Sequence, residues 1–376
     1  MNQRFFILLF LIIAINSNLF SQPTAIGLGW AQNTINGVVF RKNSVASHKG
    51  NQYVAYYNSE SFVVLAKRKL DVDNWEIKQT QYKGNTNDAH CSISIMVDGD
   101  GYLHISWNHH NVHLNYAKSI EPGSLELSEK MEMTGSEENK VTYPEFHKLP
   151  NGDLIFFYRT GSSGRGNLVL NRYRLKTKKW ERLHNVLIDG EEQRNAYWQA
   201  CVDAFGTIHL SWVWRETGDV ATNHDMCYAK STDFGKTWKK STGENYTIPI
   251  SKATAEYAER IPQNRQLINQ TSMYADSNGN PYIATFFTPK DTDIPQYHII
   301  YKNQANWQTR QVTDRKTPFS LSGGGTKKIP ISRPQIVVTN SGKVILIYRD
   351  IEHDDKITIS VSVSKNSKLN KWDVFD

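Results

Sequence analysis

Apolar and polar residues alternate with period two in six short runs along the chain. These are "QYVAYYN" after Gly50, "YLHISWN" after Gly101, "DLIFFYR" after Gly152, "TIHLSWVWR" after Gly206, "NPYIATFF" after Gly279 and "KVILIYR" after Gly342. Period two places successive side chains on opposite faces, so each run predicts a strand. The glycines lie 51, 51, 54, 73 and 63 residues apart. Their surroundings ("DGDG", "PNGD", "DSNG", "TNSG") have the Asn, Asp and Gly content that hairpin turns need for positive φ. A second β-rich run precedes each glycine, so the repeating unit is a hairpin.

Weaker strands lie between the hairpins, several near a tryptophan: "DNWEI", "KKWERL", "GKTWKK", "ANWQTR" and "NKWDVF". A unit of roughly 50 to 70 residues with four strands is the length of a propeller blade. "STDFGKTW", Ser231 to Trp238, matches the Asp-box turn of sialidase-like propellers, a stabilising motif without catalytic duty. Six units are visible. A seventh, closing blade is expected from "GWAQNTINGVVF" near the start and "KITISVSVS…KWDVF" at the end. The expected fold is therefore an all-β, seven-bladed propeller of four-stranded antiparallel blades. It forms one domain over residues 22–376, with no linker or low-complexity run to divide it.

Residues 1–21 read as a secretory signal: Arg4, then "FFILLFLIIAI", then a polar cleavage zone. About 11 apolar residues are too few to span a bilayer, so the mature chain is expected outside the cytoplasm, secreted or periplasmic. Three cysteines do not make a disulfide framework. The net charge of +7 favours an acidic partner, and its scattered Lys and Arg give no nucleic-acid stripe. Outside the cell, the natural acidic partner is a polyanionic glycan; neither a nucleic acid nor a membrane is expected.

The candidate chemistry follows from hairpin geometry. In "DAHCSISIMVDGDGYLHISWNHHN" the turn centres near Asp100, with His90 ten residues before it and His110 ten after. The two are expected to be cross-strand neighbours. In the next unit the turn centres near Asn151, with Tyr143 eight residues before and Arg159 eight after. One mouth of the channel thus receives His90, His110, Tyr143 and Arg159. Abstracting the proton α to a uronate carboxylate needs the acid neutralised, a base, and a proton donor for the leaving oxygen. Arginine offers a fixed charge in a fork that matches a carboxylate, and His and Tyr titrate where a base or acid is useful. The plainer alternative, polar residues on a soluble hairpin, accounts for any one of them but not for their shared face.

"DAHCSISI", "HISWNHHN", "TYPEF" and "FFYRTGSSGRGN", in that order, resemble the catalytic blades of the propeller ulvan lyases, as does "HLSWVWRETGDVATNHDMCYAKSTDFGKTW". The resemblance runs from about Val38 to Arg349. It implies β-elimination on ulvan, a polymer of sulfated rhamnose and uronic acid, leaving a 4,5-unsaturated ring. It implies that Tyr143 and His90 share the base and acid duties, in either assignment, and that Arg159 and His110 hold the carboxylate. His109 competes with His110 for this place. Arg215, Arg194, Tyr197 and Trp198 are expected to contact sugar or sulfate, with Lys290 and Arg333 as further candidates. Catalysis needs no cofactor in this reading. A structural zinc is a separate expectation, since Cys201, His209, His224 and Cys227 fall on adjacent strands; buried free thiols are the alternative.

Three rivals share the fold. A rhamnosidase-type hydrolase would use the opposite face, with His48 in "VASHKGNQY" as its candidate residue. A sialidase would need three channel-facing arginines with a paired Tyr and Glu, a set not evident in the sequence. A non-catalytic glycan-binding propeller is the third alternative.

Overall fold

A computed structural model describes residues 24–37, 43–325, 328–363 and 369–376. The expected signal at 1–21 lies outside them. Among the described residues no helix is long and apolar enough to cross a membrane.

The strands form six successive antiparallel units. The first comprises Val45–His48, Asn51–Tyr57, Phe62–Lys69 and Glu76–Lys83. The second has Ile93–Val97, Leu103–Trp107 and Tyr116–Lys118, its outer edge marked only by a bridge from Ser119 to Leu127. The third has Val141–Lys148, Leu154–Ser162, Arg165–Arg174 and Lys179–Ile188; the fourth Asn195–Val202, Ile208–Arg215, Asn223–Ser231 and Glu256–Glu259. The fifth and sixth run Ser272–Ala275 to Asn306–Gln311 and Gln335–Val338 to Trp372–Phe375. Blades of four antiparallel strands are thus the architecture, as the sequence pattern predicts.

All six turn glycines named above have positive φ, between 77° and 95°. That backbone region is open to glycine without steric cost, which is why the residue recurs there. The closing blade behaves differently from the expectation. Residues 24–37 contain no strand, residues 38–42 lie outside the described set, and Ile357–Ser362 and Trp372–Phe375 complete the sixth unit. The C-terminal strands are fully paired within their own blade, so no closing blade built from both ends occurs among the described residues.

The Asp box does what its chemistry predicts. Asp233 accepts from Ser231 Oγ (2.8 Å) and from the backbone N–H of Thr237 (2.9 Å), while Trp238 is fully buried and donates to Gly235 O. A second lock is repeated in the hairpins. In "DGDGYLH" and "DAFGTIH" an Asp accepts backbone N–H bonds across the turn and also faces a buried His. Asp98 Oδ2 lies 3.3 Å from His104 Nε2, and His104 Nδ1 lies 2.8 Å from Tyr116 Oη. In the fourth blade the same atoms of Asp203, His209 and Tyr228 are 3.1 and 2.7 Å apart. These networks tie the turn to the third strand of each blade.

Candidate active site

On the face opposite the glycine turns, a cavity of about 350 Å³ is lined by His90, His110, Tyr143, Arg159, Ser163, Tyr197, Arg215, Asn269, Gln270 and Arg333, with an apolar wall beyond. All four residues expected to be catalytic are there.

Local sequence explains how they meet. His90 stands just before the strand Ile93–Val97, and its backbone N–H donates to Asp88 Oδ1 (2.9 Å). The second blade's middle strand ends at Trp107, and His110 belongs to a short strand, His110–Val112, that pairs with Thr142 of the next blade. The hairpin register that pairs Ile93 with Trp107 runs on to set His90 opposite His110, as the turn count expects, and the pairing with Thr142 ties His110 to the next blade as well. The His90 and His110 rings stack with centroids 4.3 Å apart.

Tyr143 sits where the register between Val141–Lys148 and Leu154–Ser162 shifts, and its φ is +58°. A bulge re-aims the side chain, and a tyrosine held at positive φ is a strain tolerated mainly at functional positions. The Tyr143 ring lies 5.9 Å from His90 and 5.9 Å from Tyr197, with the Arg159 guanidinium 5.2 Å from its centre.

Three arginines from three blades converge here. Arg159 donates to Thr142 Oγ1 (3.1 Å), and its Nε has no hydrogen-bond partner among the described residues. Arg215 donates to the carbonyls of Thr217 and Gly218, and Arg333 Nε to Asn269 O. No Asp or Glu is among the lining residues. The cavity therefore holds positive charge that awaits an anion. Three arginines converge, but no Glu lines the cavity, so the sialidase set of three arginines with a paired Tyr and Glu is incomplete there.

The electrostatics separate the roles. Burial raises the Asp88 carboxyl, but the His90 backbone N–H and the His110 and His90 side chains outweigh it and bring it down to about 2. Asp88 is thus an anion that can only accept, so Nδ1 of each histidine carries the proton and Nε2 is the acceptor nitrogen. The distances are 2.6 Å to His90 and 2.5 Å to His110. Burial lowers the His90 pKa, helped by His110 and Arg159 and opposed by Asp88, so its imidazole is neutral near neutral pH. The two tyrosines diverge. Burial and the Tyr197 charge push the Tyr143 hydroxyl well up, against Arg159, Arg215 and Arg333. Tyr197 is lowered, because Arg159 and Arg215 with bonds from Ser163 and Asn195 overcome its burial.

Several expected residues lie elsewhere. His109 is fully buried inside its blade, where Nε2 accepts from the Asn115 N–H at 2.7 Å and burial drops its pKa to about 3. Trp198 is buried and donates to Glu145. Arg194 is spent on Glu191 and Glu216, outside the cavity. Lys290 is exposed and absent from the lining. Tyr197, Arg215 and Arg333 are in place. His48 lies at a hairpin turn on the other face, with Nδ1 2.8 Å from Lys148 Nζ.

The expected zinc set does not assemble. Cys201 opposes His209 across one strand pair, but Cys227 opposes Trp212, three residues along the strand from His209 and so on the other face of the sheet. His209 is held by Asp203 and Tyr228, and His224 by Glu216 and Asp225. Burial pushes both thiols upward, the wrong direction for a thiolate ligand. The group whose ligand atoms do lie together is Asp88, His90 and His110, within 4.8 Å of one another.

Sequence reasoning missed Asp88, although it stands two residues before His90 in "DAHCS", the spacing at which an Asp accepts from a backbone N–H. Ser163, Asn269 and Gln270 carried no signal in the strand pattern because they lie outside the alternating runs.

A blade-built fold with a basic, carboxylate-free cavity at one mouth is the class of molecule these observations define. A profile of the BNR repeat-containing family matches residues 51–315, and the chain belongs to that family. An ulvan lyase of Nonlabens ulvanivorans is 22% identical over 293 residues, which cover 64% of this chain and 59% of that protein; the match spans less than two thirds of the relative. A solved polysaccharide lyase described as a PL25 ulvan lyase superposes with a TM-score of 0.67 at 16% identity, covering 86% of this chain and 80% of that one. The same values hold for its complex with -[GlcA(1-4)Rha3S]-. Polysaccharide lyase Uly1 gives 0.63 at 15% identity, covering 96% and 85%.

Proposed function

We propose that the protein is an exported polysaccharide lyase that cleaves an ulvan-type polymer at its uronate residues by β-elimination. The observation that carries this reading is the meeting of a neutral imidazole, a protonated phenol and three arginines in one cavity without a lining carboxylate. The similar lyase solved with a glucuronate–rhamnose sulfate ligand supports the choice of polymer.

Arg159 faces the uronate carboxylate and neutralises it, which acidifies the C5 proton. His90 Nε2 takes that proton; Asp88 holds the imidazole and stabilises the cation formed. The C5–H electron pair becomes the C4–C5 double bond, and the C4–O bond breaks. Tyr143, kept protonated by burial, gives its proton to the departing oxygen. His110 flanks the carboxylate, and Arg215, Tyr197 and Arg333 contact the polymer. No metal enters these steps.

The test is the ultraviolet absorbance of the unsaturated uronate when the purified mature chain meets ulvan. Absorbance should rise with the chain and stay flat with Tyr143→Phe. New reducing ends without absorbance would replace elimination by hydrolysis and move attention to His48.

A further inference from the structure

Asp88 does more than orient two imidazoles. Two ring nitrogens and a carboxylate within 4.8 Å of one another are the donor set of a three-ligand metal site, with water as the fourth ligand. The donors meet at the Nδ1 edge of each ring: Asp88 Oδ1 lies 2.6 Å from His90 Nδ1, and Oδ2 lies 2.5 Å from His110 Nδ1. Zinc holds N and O ligands at about 2.0–2.2 Å, which spaces them roughly 3.3 Å apart around a tetrahedral ion. Each contact therefore opens by well under an ångström to admit the ion. The edge is reachable from solvent, since the side chains of His110 and Asp88 are 42% and 28% exposed. His110 belongs to a strand of only three residues, so it is the ring freer to turn.

The surrounding charges choose the ion. Arg159, Arg215 and Arg333 line the same cavity and oppose a further cation. A hard ion such as magnesium finds one carboxylate against three guanidinium groups and gains too little. Zinc, copper and nickel gain from the two imidazoles as well.

We propose that Asp88, His90 and His110 form an inhibitory site for a zinc-class divalent ion, bound by the carboxylate and both Nδ1 atoms. A neutral imidazole that ligates through Nδ1 carries its one proton on Nε2. Binding therefore moves the proton of each ring from Nδ1 to Nε2. His90 Nε2 becomes a donor and can no longer accept the C5 proton, while Arg159 stays in place to hold the uronate. The ion would stop turnover without displacing the polymer. The arrest rests on the lyase reading; the binding and the change of tautomer do not.

Calorimetry with zinc chloride at neutral pH, on the full chain freed of metal by a chelator, tests the site. A three-ligand site beside arginines should bind more weakly than a closed structural one, with a Kd of about 1 μM; magnesium should not bind. Asp88→Ala, His90→Ala and His110→Ala should each weaken zinc at least about tenfold, whereas Cys227→Ser should bind as the parent does. Magnetic resonance of the unmodified chain with nitrogen-15-labelled histidine needs no variant: zinc should turn Nε2 of two rings from acceptor into protonated nitrogen. With ulvan, saturating zinc should lower kcat by about 10²-fold or more at little-changed KM, and EDTA should restore it. No binding at about 1 mM zinc, or undiminished binding in any of the three alanine variants with the parent's melting temperature, would overturn the site. Nδ1 still protonated in both rings, or inhibition through KM alone, would overturn the arrest. Zinc bound with the change of tautomer, in a chain that raises no absorbance from ulvan, keeps this site and removes the lyase reading.

Discussion

The imidazoles of His90 and His110 stack with their planes 21° apart, and each points Nδ1 at a different oxygen of Asp88. One carboxylate therefore orients two rings at once. Burial, His110 and Arg159 hold the His90 pKa down against the support of Asp88, so Nε2 of the oriented His90 ring stands ready to accept a proton.

Asp88→Asn should shift the acidic limb of the pH profile. Asp88 raises the His90 pKa through its hydrogen bond and charge, against the lowering by burial. Removing that support lowers the His90 pKa further, so the neutral base survives to lower pH and the limb moves down. At neutral pH kcat should fall, because an amide fixes one ring less firmly and leaves the new imidazolium uncompensated. Acid unfolding gives a second readout. The stability Asp88 contributes is full above its unfolded value of 3.8 and lost as pH falls towards about 2; the variant should lack that component.

Tyr143→Phe should lower kcat by about 10²–10⁴-fold, the range for losing a positioned acid, with KM little changed. Tyr197→Phe should cost far less. It should also move the alkaline limb, since Tyr197 is the member of the pair whose pKa is lowered by Arg159 and Arg215. Steady-state rates across alkaline pH separate the two; equal losses in both variants would contradict the division of roles.

Arg159→Lys keeps the charge and should still lose roughly tenfold or more in kcat/KM, because an ammonium cannot reproduce a fork of donors to a carboxylate. The loss should exceed that of Arg194→Lys, whose side chain is committed to Glu191 and Glu216 outside the cavity. Parallel kinetics on the two variants check the ranking.

Much of this was legible in the sequence. Period-two runs and glycine turns placed the hairpins, and counting from Asp100 and Asn151 brought four residues to one cavity. Counting failed where the ladder is irregular. It could not foresee that the segment His110–Val112 also pairs with the next blade, or that a bulge sets Tyr143 at positive φ. Arg194 and Trp198 had the right parity for the mouth, but nearby acids that a linear pattern does not show, Glu191 and Glu216 for one and Glu145 for the other, hold them away. The lining residues Val220, Ile268, Leu321 and Ile329 were invisible for a different reason: they lie outside the strands, where apolar residues carry no period of two.

The fourth-blade histidine offers the last test. His209 was expected to hold zinc with Cys201, His224 and Cys227, yet it lies buried between Asp203 and Tyr228, and the same lock recurs around His104. A repeated position in two blades argues for a structural hydrogen-bond network rather than a metal centre. His209→Ala should strand Asp203 Oδ2 and the Tyr228 hydroxyl in the interior and cost about 2–3 kcal/mol or more, since an unsatisfied buried group, especially a charged one, keeps its full desolvation penalty. Prolonged dialysis against a chelator should leave the melting temperature of the unmodified chain unchanged. A large drop on chelation, restored by zinc and abolished by Cys227→Ser, would reinstate the metal site and show that the Cys227 strand can shift to the His209 face.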